Sequence, residues 1–458
     1  MNKTKDADSY YHKMTTKPVA SLIISLGIPT TISMLITNIY NMAYTYFVGT
    51  LGASQQAATG ILFTLQAIIQ AIAFMLGQGS GSMVSKALAD KDIKEASEYV
   101  TTAFSISMIA GSLLMVFGII FLEPLMRLLG STQTILPYAK QYGLWVLIAC
   151  PFMMGSFVLN NNLRYEGKAF YAMIGLVTGG LLNIFGDFLF VQLFKMGVSG
   201  AGLSTAISQI ISFIILYYFF NKMAQSKIRK VFISKTLATY FLIMKVGFPA
   251  LIRQGLSSIS NGLLNNLTKP YGDAAIAAMS VVNCFSAFVM CVGLGIGQGF
   301  QPVASFNYQA KKYKRVKQGL LITMSIGFCF ICLLTVPGMI FAKQIVYLFQ
   351  KSEAVCEIGT YALRWACVGV MFLPLSVPVN MLYQSIRKPA ISSFLSMLRS
   401  GVMFIPTLMI TTNLWGLTGI QISQPIADIA TALISVPFII HFIWKKPDDK
   451  VQVNTTIS

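Results

Sequence analysis

Asn183 and Asp187 lie four residues apart inside an apolar run from Lys168 to Phe194. On a helix that spacing puts the amide and the carboxylate on one face. An ionisable group at the centre of a membrane-length run costs about 2.5–3.5 kcal/mol to insert, so such a group is a functional candidate by default. The short turn from Lys195 to Ser199 sends the chain back antiparallel, which brings Thr205 to the depth of Asp187. Tyr44, near the far end of the first apolar run, is expected at the same level. A carboxylate, an amide oxygen and a hydroxyl are the oxygen ligands that a hard cation takes. The same carboxylate in apolar surroundings suits H+ instead. The plainer alternative is a buried structural acid.

Other polar residues inside apolar runs are few. Asp428 lies about midway along the last run, and Arg253 follows Pro249 by a few residues. Pro29 and Pro249 stand at matching places in two helices, where proline removes a backbone hydrogen bond and permits a bend. Each is a static kink or a moving hinge. The cysteines lie in or beside apolar runs, and Cys329-x-x-Cys332 has no second pair or histidine near it, so no metal site is expected apart from Na+ at Asp187. Gly77-Gln78-Gly79 and Gly297-Gln298-Gly299 lack the Lys-Ser/Thr of a phosphate loop and read as close helix packing. No nucleophile–base set appears, so an enzyme is not expected and no cofactor is required beyond Na+ or H+ as coupling ion.

The elements that hold these residues follow from composition. The chain has 458 residues, 55% hydrophobic and 11% charged, where a soluble domain would carry about 25% charged residues. Twelve apolar spans are expected near 19–49, 55–84, 97–122, 138–162, 168–194, 199–221, 237–268, 274–304, 319–342, 357–383, 389–412 and 417–444. The first reads as a transmembrane helix rather than a cleaved leader. The net charge of +19 comes from Lys and Arg in short loops between spans, such as Lys311, Lys312, Lys314, Arg315 and Lys317. That pattern excludes a nucleic-acid role and puts both termini in the cytoplasm of a multi-pass protein of the inner or plasma membrane.

The chain also matches itself at an offset of 220: Gly27 with Gly247, Pro29 with Pro249, Gly77-Gln78-Gly79 with Gly297-Gln298-Gly299, Asn160 with Asn380. Six spans per copy is an even number, so the repeat is parallel. The fold class is an all-α membrane protein, twelve transmembrane helices in two pseudo-symmetric six-helix bundles. The expected divisions are an N-terminal tail (1–18), a first lobe (19–221), a cytoplasmic linker (222–236), a second lobe (237–444) and a C-terminal tail (445–458).

Several motifs together resemble the MATE family of multidrug and toxic-compound extrusion transporters. They are Gly297-Gln298-Gly299-Phe300-Gln301-Pro302 continuing through Asn307-Tyr308-Gln309-Ala310-Lys311-Lys312, Arg164-x-x-Gly167, Asn183-x-x-x-Asp187, and Gly416-x-x-Gly419 leading to Gln424-Pro425-x-x-Asp428. The resemblance implies export of amphipathic, often cationic compounds against Na+ or H+ entry by alternating access. It implies a first-lobe cation site on Asn183, Asp187 and Thr205, with Ala201 one turn before the threonine. It also points to Asn160 as a polar position of the fourth helix. Where the family often has a first-helix acid, this chain has Tyr44, within Asn41-Met-Ala-Tyr44-Thr-Tyr-Phe-Val-Gly49. Met34, Gln66 and Gln70 are placed facing the substrate cavity, with Arg253 and Asp428 as further cavity residues. The expected partners are small amphipathic molecules and the bilayer, and the expected state is a monomer. The alternative is a flippase for a lipid-linked glycan, which calls for a more cationic cavity than Arg253 alone supplies.

Overall fold

A computed structural model describes residues 2–349 and 352–445. The expected C-terminal tail beyond Lys445 lies outside the described residues. Helices follow one another as α1 (Asn2–Thr16), α2 (Val19–Gly49), α3 (Ala53–Ala89), α4 (Ile93–Ile120), α5 (Leu122–Leu128), α6 (Leu136–Tyr165), α7 (Ala169–Asp187) and α8 (Gly197–Met223). After residues 224–236 come α9 (Leu237–Thr268), α10 (Asp273–Gln309), α11 (Tyr313–Ile340), α12 (Ala342–Phe349), α13 (Glu353–Val370), α14 (Leu373–Ser385), α15 (Pro389–Met397) and α16 (Phe404–Lys445). No strand occurs among the described residues.

Among the described residues, nine helical stretches are long and apolar enough to cross a membrane, ten when α13 and α14 count as one span bent by 47°. The expected span 357–383 is therefore broken, and Pro374 near the start of α14 suits a helix beginning there, where its missing N–H costs nothing. The stretch 389–444 counts as one run by length and hydropathy, yet the chain reverses inside it. Gly416 has φ 54° and ψ −128°, outside any helix. Thr411 Oγ1 donates to the Gly419 carbonyl at 2.8 Å, though eight residues of straight helix would hold them about 12 Å apart. α9 is 32 residues long but carries Lys245 and Arg253 within its apolar stretch. By length and hydropathy the count stops at nine or ten against the expected twelve; the difference lies in 389–444, which the break at Gly416 divides, and in α9.

The repeat is visible in the elements themselves. α3 and α10 are each 37 residues long and begin 220 apart, and α4 and α11, each 28 residues, do the same. The short helices α5 and α12, not expected from the sequence, also begin 220 apart. α2 packs along α10 and α3 along α9, so each half's first two helices interlock with those of the other.

Glycine makes these crossings possible. A Cβ on Gly247 would overlap the Met75 carbonyl oxygen and stand 2.7 Å from its carbon; one on Gly79 would overlap the Ile243 carbonyl. At the repeat-related crossing, a Cβ on Gly299 would lie 2.5 Å from Gly27 Cα. Backbones this close leave room for nothing larger than hydrogen, which is the role of the Gly-Gln-Gly motifs.

The segments expected as an N-terminal tail and a cytoplasmic linker are packed against the helices. The N-terminal segment forms α1, whose Tyr10 and Met14 are buried. The Tyr10 ring meets Phe306 edge-on, and its hydroxyl donates to the Tyr165 carbonyl at 3.3 Å. The linker is pinned by Glu166, a fully buried residue just after α6. Its carboxylate accepts from the Gln225 amide at 2.5 Å and from the amide and hydroxyl of Ser226. Desolvation nevertheless pushes the Glu166 carboxyl up to about 7.

Candidate functional site

α7 and α8 pack closely because Gly186 faces Ser204, where a Cβ would lie 2.5 Å from the hydroxyl. That contact brings Asn183 and Thr205 together: Asn183 Nδ2 donates to Thr205 Oγ1 at 3.2 Å. Ser204 donates to the Asn183 carbonyl at 3.0 Å, and Thr205 donates to the Ala201 carbonyl at 3.0 Å. Ala201 thus contributes its backbone oxygen, not its side chain.

Asp187 closes α7 where the helix widens into a π turn over Phe188–Leu193, rather than continuing as the regular span expected to 194. Single π turns often mark functional positions. Asp187 is fully buried, and neither carboxylate oxygen makes a well-formed hydrogen bond; the Ser204 hydroxyl is close by but donates to the Asn183 carbonyl. Asn183 Oδ1 is likewise buried without a partner, and the buried Tyr44 hydroxyl has Tyr142 and Thr59 near it but no well-formed hydrogen bond. Four oxygens are therefore left unsatisfied in one region of the first half, where a buried polar group without a partner is costly.

Tyr142 of α6 joins the group and was missed in the sequence, where it reads as one more aromatic near a helix end. Its hydroxyl stands 3.4 Å from Thr205 Oγ1 and accepts from Gln66 Nε2 at 3.2 Å, and its ring lies 5.5 Å from that of Tyr44. Tyr44, Gln66, Tyr142, Asn183 and Thr205 line a pocket of about 10 Å³, roughly the room of one water or small ion. Gln66 belongs here and does not line the larger cavity, a correction to its expected placement. It stands one turn from Gln70 on α3, and that turn separates the two sites. No cluster of three or more His, Cys, Asp or Glu occurs among the described residues.

The larger cavity, about 290 Å³, lies between the halves. Met34, Gln70, Asn160 and Arg253 all line it, with Arg164 and Gln298. Asn160 also ties two helices together. Its Nδ2 donates to the Ala172 carbonyl at 3.0 Å, and its repeat partner Asn380 donates to Ser392 at 3.0 Å. Asp428 does not line the cavity. It is held by Arg399 Nε at 2.9 Å and Gln424 Nε2 at 2.8 Å. Arg399 was also missed; it lies within the eleventh expected span, in a π turn over Leu398–Val402. Pro29 and Pro249 are buried inside α2 and α9.

A helical repeat with a cavity of mixed polar and apolar lining between its halves and a buried carboxylate in one of them is the architecture of a membrane transporter. The MatE family model matches twice, at residues 29–189 and 249–410, the two matches beginning 220 residues apart. The chain belongs to that family. The multidrug export protein MepA of Staphylococcus saprophyticus is 26% identical over 94% of this chain and 95% of its own length. MepA of Staphylococcus aureus strain MRSA252 is 26% identical over 99% of each. Among solved structures, an outward-facing multidrug resistance MATE family transporter of the MOP superfamily superposes with a TM-score of 0.89 at 24% identity, covering 94% of this chain and 97% of that one.

Proposed function

We propose that the protein is a secondary active antiporter that exports amphipathic drugs or toxic compounds in exchange for entry of Na+ or H+. The export role is supported by relatives named multidrug export proteins that align over nearly the whole chain. The observation that carries the coupling is Asp187, fully buried with neither oxygen in a well-formed hydrogen bond, one helical turn from Asn183 and next to the small pocket that Asn183, Thr205 and Tyr44 line. A bare carboxylate there is costly, so the site favours occupation by a cation. Tyr44 in place of a second acid makes Asp187 the single coupling carboxylate of its half. Occupation biases the halves between two arrangements, each opening the central cavity to one side, with Pro29 and Pro249 as hinge points. The basic loops put the termini on the cytoplasmic side, and the working unit is a monomer.

The test is efflux of a fluorescent amphipathic dye from proteoliposomes under a Na+ gradient or a pH gradient applied separately. One gradient should drive wild-type efflux, and Asp187→Asn should insert normally yet lose the driven component. Gradient-driven efflux at the wild-type rate in Asp187→Asn would sink the coupling role.

A further inference from the structure

The central cavity carries two guanidinium groups and, among the described residues, no acid in its lining. Arg164 comes from α6 in the first half and Arg253 from α9 in the second. Arg164 is only 2% exposed. Its Nη2 donates to Asn161 Oδ1 at 2.7 Å, and its Nη1 donates to Gln298 Oε1 of the opposite half. Arg253 Nη2 reaches Gln78 Oε1 of the opposite half at 3.4 Å. Gln78 and Gln298 are the repeat-related glutamines of the two Gly-Gln-Gly motifs, so each half holds the arginine of the other by a neutral amide oxygen.

Those amides orient the arginines without neutralising them. Arg164 Nε and Arg253 Nη1 are buried with no hydrogen-bond partner. The intramembrane acids cannot serve: Asp428 is engaged by Arg399, and Asp187 belongs with the first half's own polar group and does not line the cavity. One buried and one half-buried positive charge, each with a buried orphaned N–H, in the lining of a cavity between the halves call for a negative partner. Guanidinium presents a planar fork that matches carboxylate and related oxyanions. Phe74 and Phe157, with ring centroids 4.9 Å apart, and Met34 give the same cavity a flat apolar wall.

We infer that the cavity recognises cargo carrying a carboxylate or comparable anionic group on an aromatic or otherwise apolar body, with Arg164 and Arg253 as the anion-binding pair. This deepens the exporter reading and rests on it, and it departs from the expectation of purely cationic cargo.

Rhodamine B and its ethyl ester test it, because they share a chromophore and differ by one negative charge. Anisotropy titrations on purified full-length protein in detergent, without any gradient, read binding independently of coupling at Asp187. Wild type should bind rhodamine B about tenfold or more tightly than the ester, as charge-assisted hydrogen bonds allow. Arg253→Gln and Arg164→Gln should reduce the ratio to about twofold or less, and Arg253→Lys should keep part of it. The ratio is a readout that a merely structural role would not move, and Arg253→Gln carries the test if Arg164→Gln does not fold. Equal affinities in wild type, or an unchanged tenfold ratio in Arg253→Gln, would overturn the inference and leave the exporter reading standing. Failure of both dyes to bind would overturn it together with the cargo role of the cavity.

Discussion

Asp428 and Asp187 are both buried membrane acids, and their surroundings predict opposite behaviour on neutralisation. Asp428 Oδ1 takes Arg399 Nε at 2.9 Å and Gln424 Nε2 at 2.8 Å, with side-chain exposures of 1% for the acid and 23% for the arginine. At an effective dielectric constant near 20, charges 2.9 Å apart attract by ~6 kcal/mol before desolvation is counted. Desolvation offsets most of that, but removing one partner leaves the other charge buried alone, at a cost of ~3–5 kcal/mol. Asp428→Asn should therefore lower the Tm of purified protein by several degrees in thermal unfolding followed by size-exclusion fluorescence. The double variant Arg399→Met/Asp428→Leu should recover most of the loss, because a matched apolar pair is often no worse than a buried ion pair. Folded Asp428→Asn should still couple efflux to the driving gradient in proteoliposomes. A wild-type Tm with coupling abolished in Asp428→Asn would refute the structural assignment, as would a double variant no more stable than the single one.

Gly247→Ala should destabilise the protein by ~1–3 kcal/mol, since its Cβ would overlap backbone atoms of Met75 that cannot rotate away. Gly27→Ala, whose Cβ would meet Ile296 Cα at 3.3 Å, should cost less, and a comparison of Tm values checks the order. Glu166 has its carboxyl raised from 4.5 to about 7, so between those values the native state holds a proton that the unfolded chain releases. Its contribution is therefore complete below about 4.5 and declines as pH rises to about 7, by ~3 kcal/mol in all. Glu166→Gln should flatten that part of the Tm–pH curve while lowering Tm by loosening the linker.

Much of the fold was legible because a bilayer demands apolar runs of set length, and α2 and α9 end where those runs end. The repeat could be read because glycine at a backbone crossing has no substitute, and Gly27, Gly79, Gly247 and Gly299 therefore recur in register. The short turn led to Thr205 being expected at the depth of Asp187; the structure hydrogen-bonds it to Asn183, one turn earlier, since a short turn fixes which helices pair but not their depth to within a turn. The rest depended on rotation and depth, which hydrophobicity does not encode. Gln66 and Gln70 lie one turn apart on α3 yet open onto different spaces. The Arg399–Asp428 pair joins helices whose facing residues only packing decides. Tyr142 has an aromatic body like many others, and only its hydroxyl's position on Thr205 sets it apart. The break between α13 and α14 hid inside an uninterrupted apolar run, with Pro374 as its one local sign.

The contrast between the two halves sets a thermodynamic ceiling. The second half's intramembrane acid is already neutralised by Arg399, so under the proposed coupling only Asp187 remains to carry an ion, and one monovalent cation enters per cycle. A membrane voltage of 100 mV supplies ~2.3 kcal/mol per charge moved, which sustains about a fiftyfold concentration ratio for a cargo of zero net charge. A zwitterion exchanged for that cation moves one net charge inward and draws on the voltage in full. A singly charged cation exchanged for it moves none, and its export runs on the chemical gradient of the ion alone. The charge state of the cargo thus decides which part of the cell's stored energy the exporter can use.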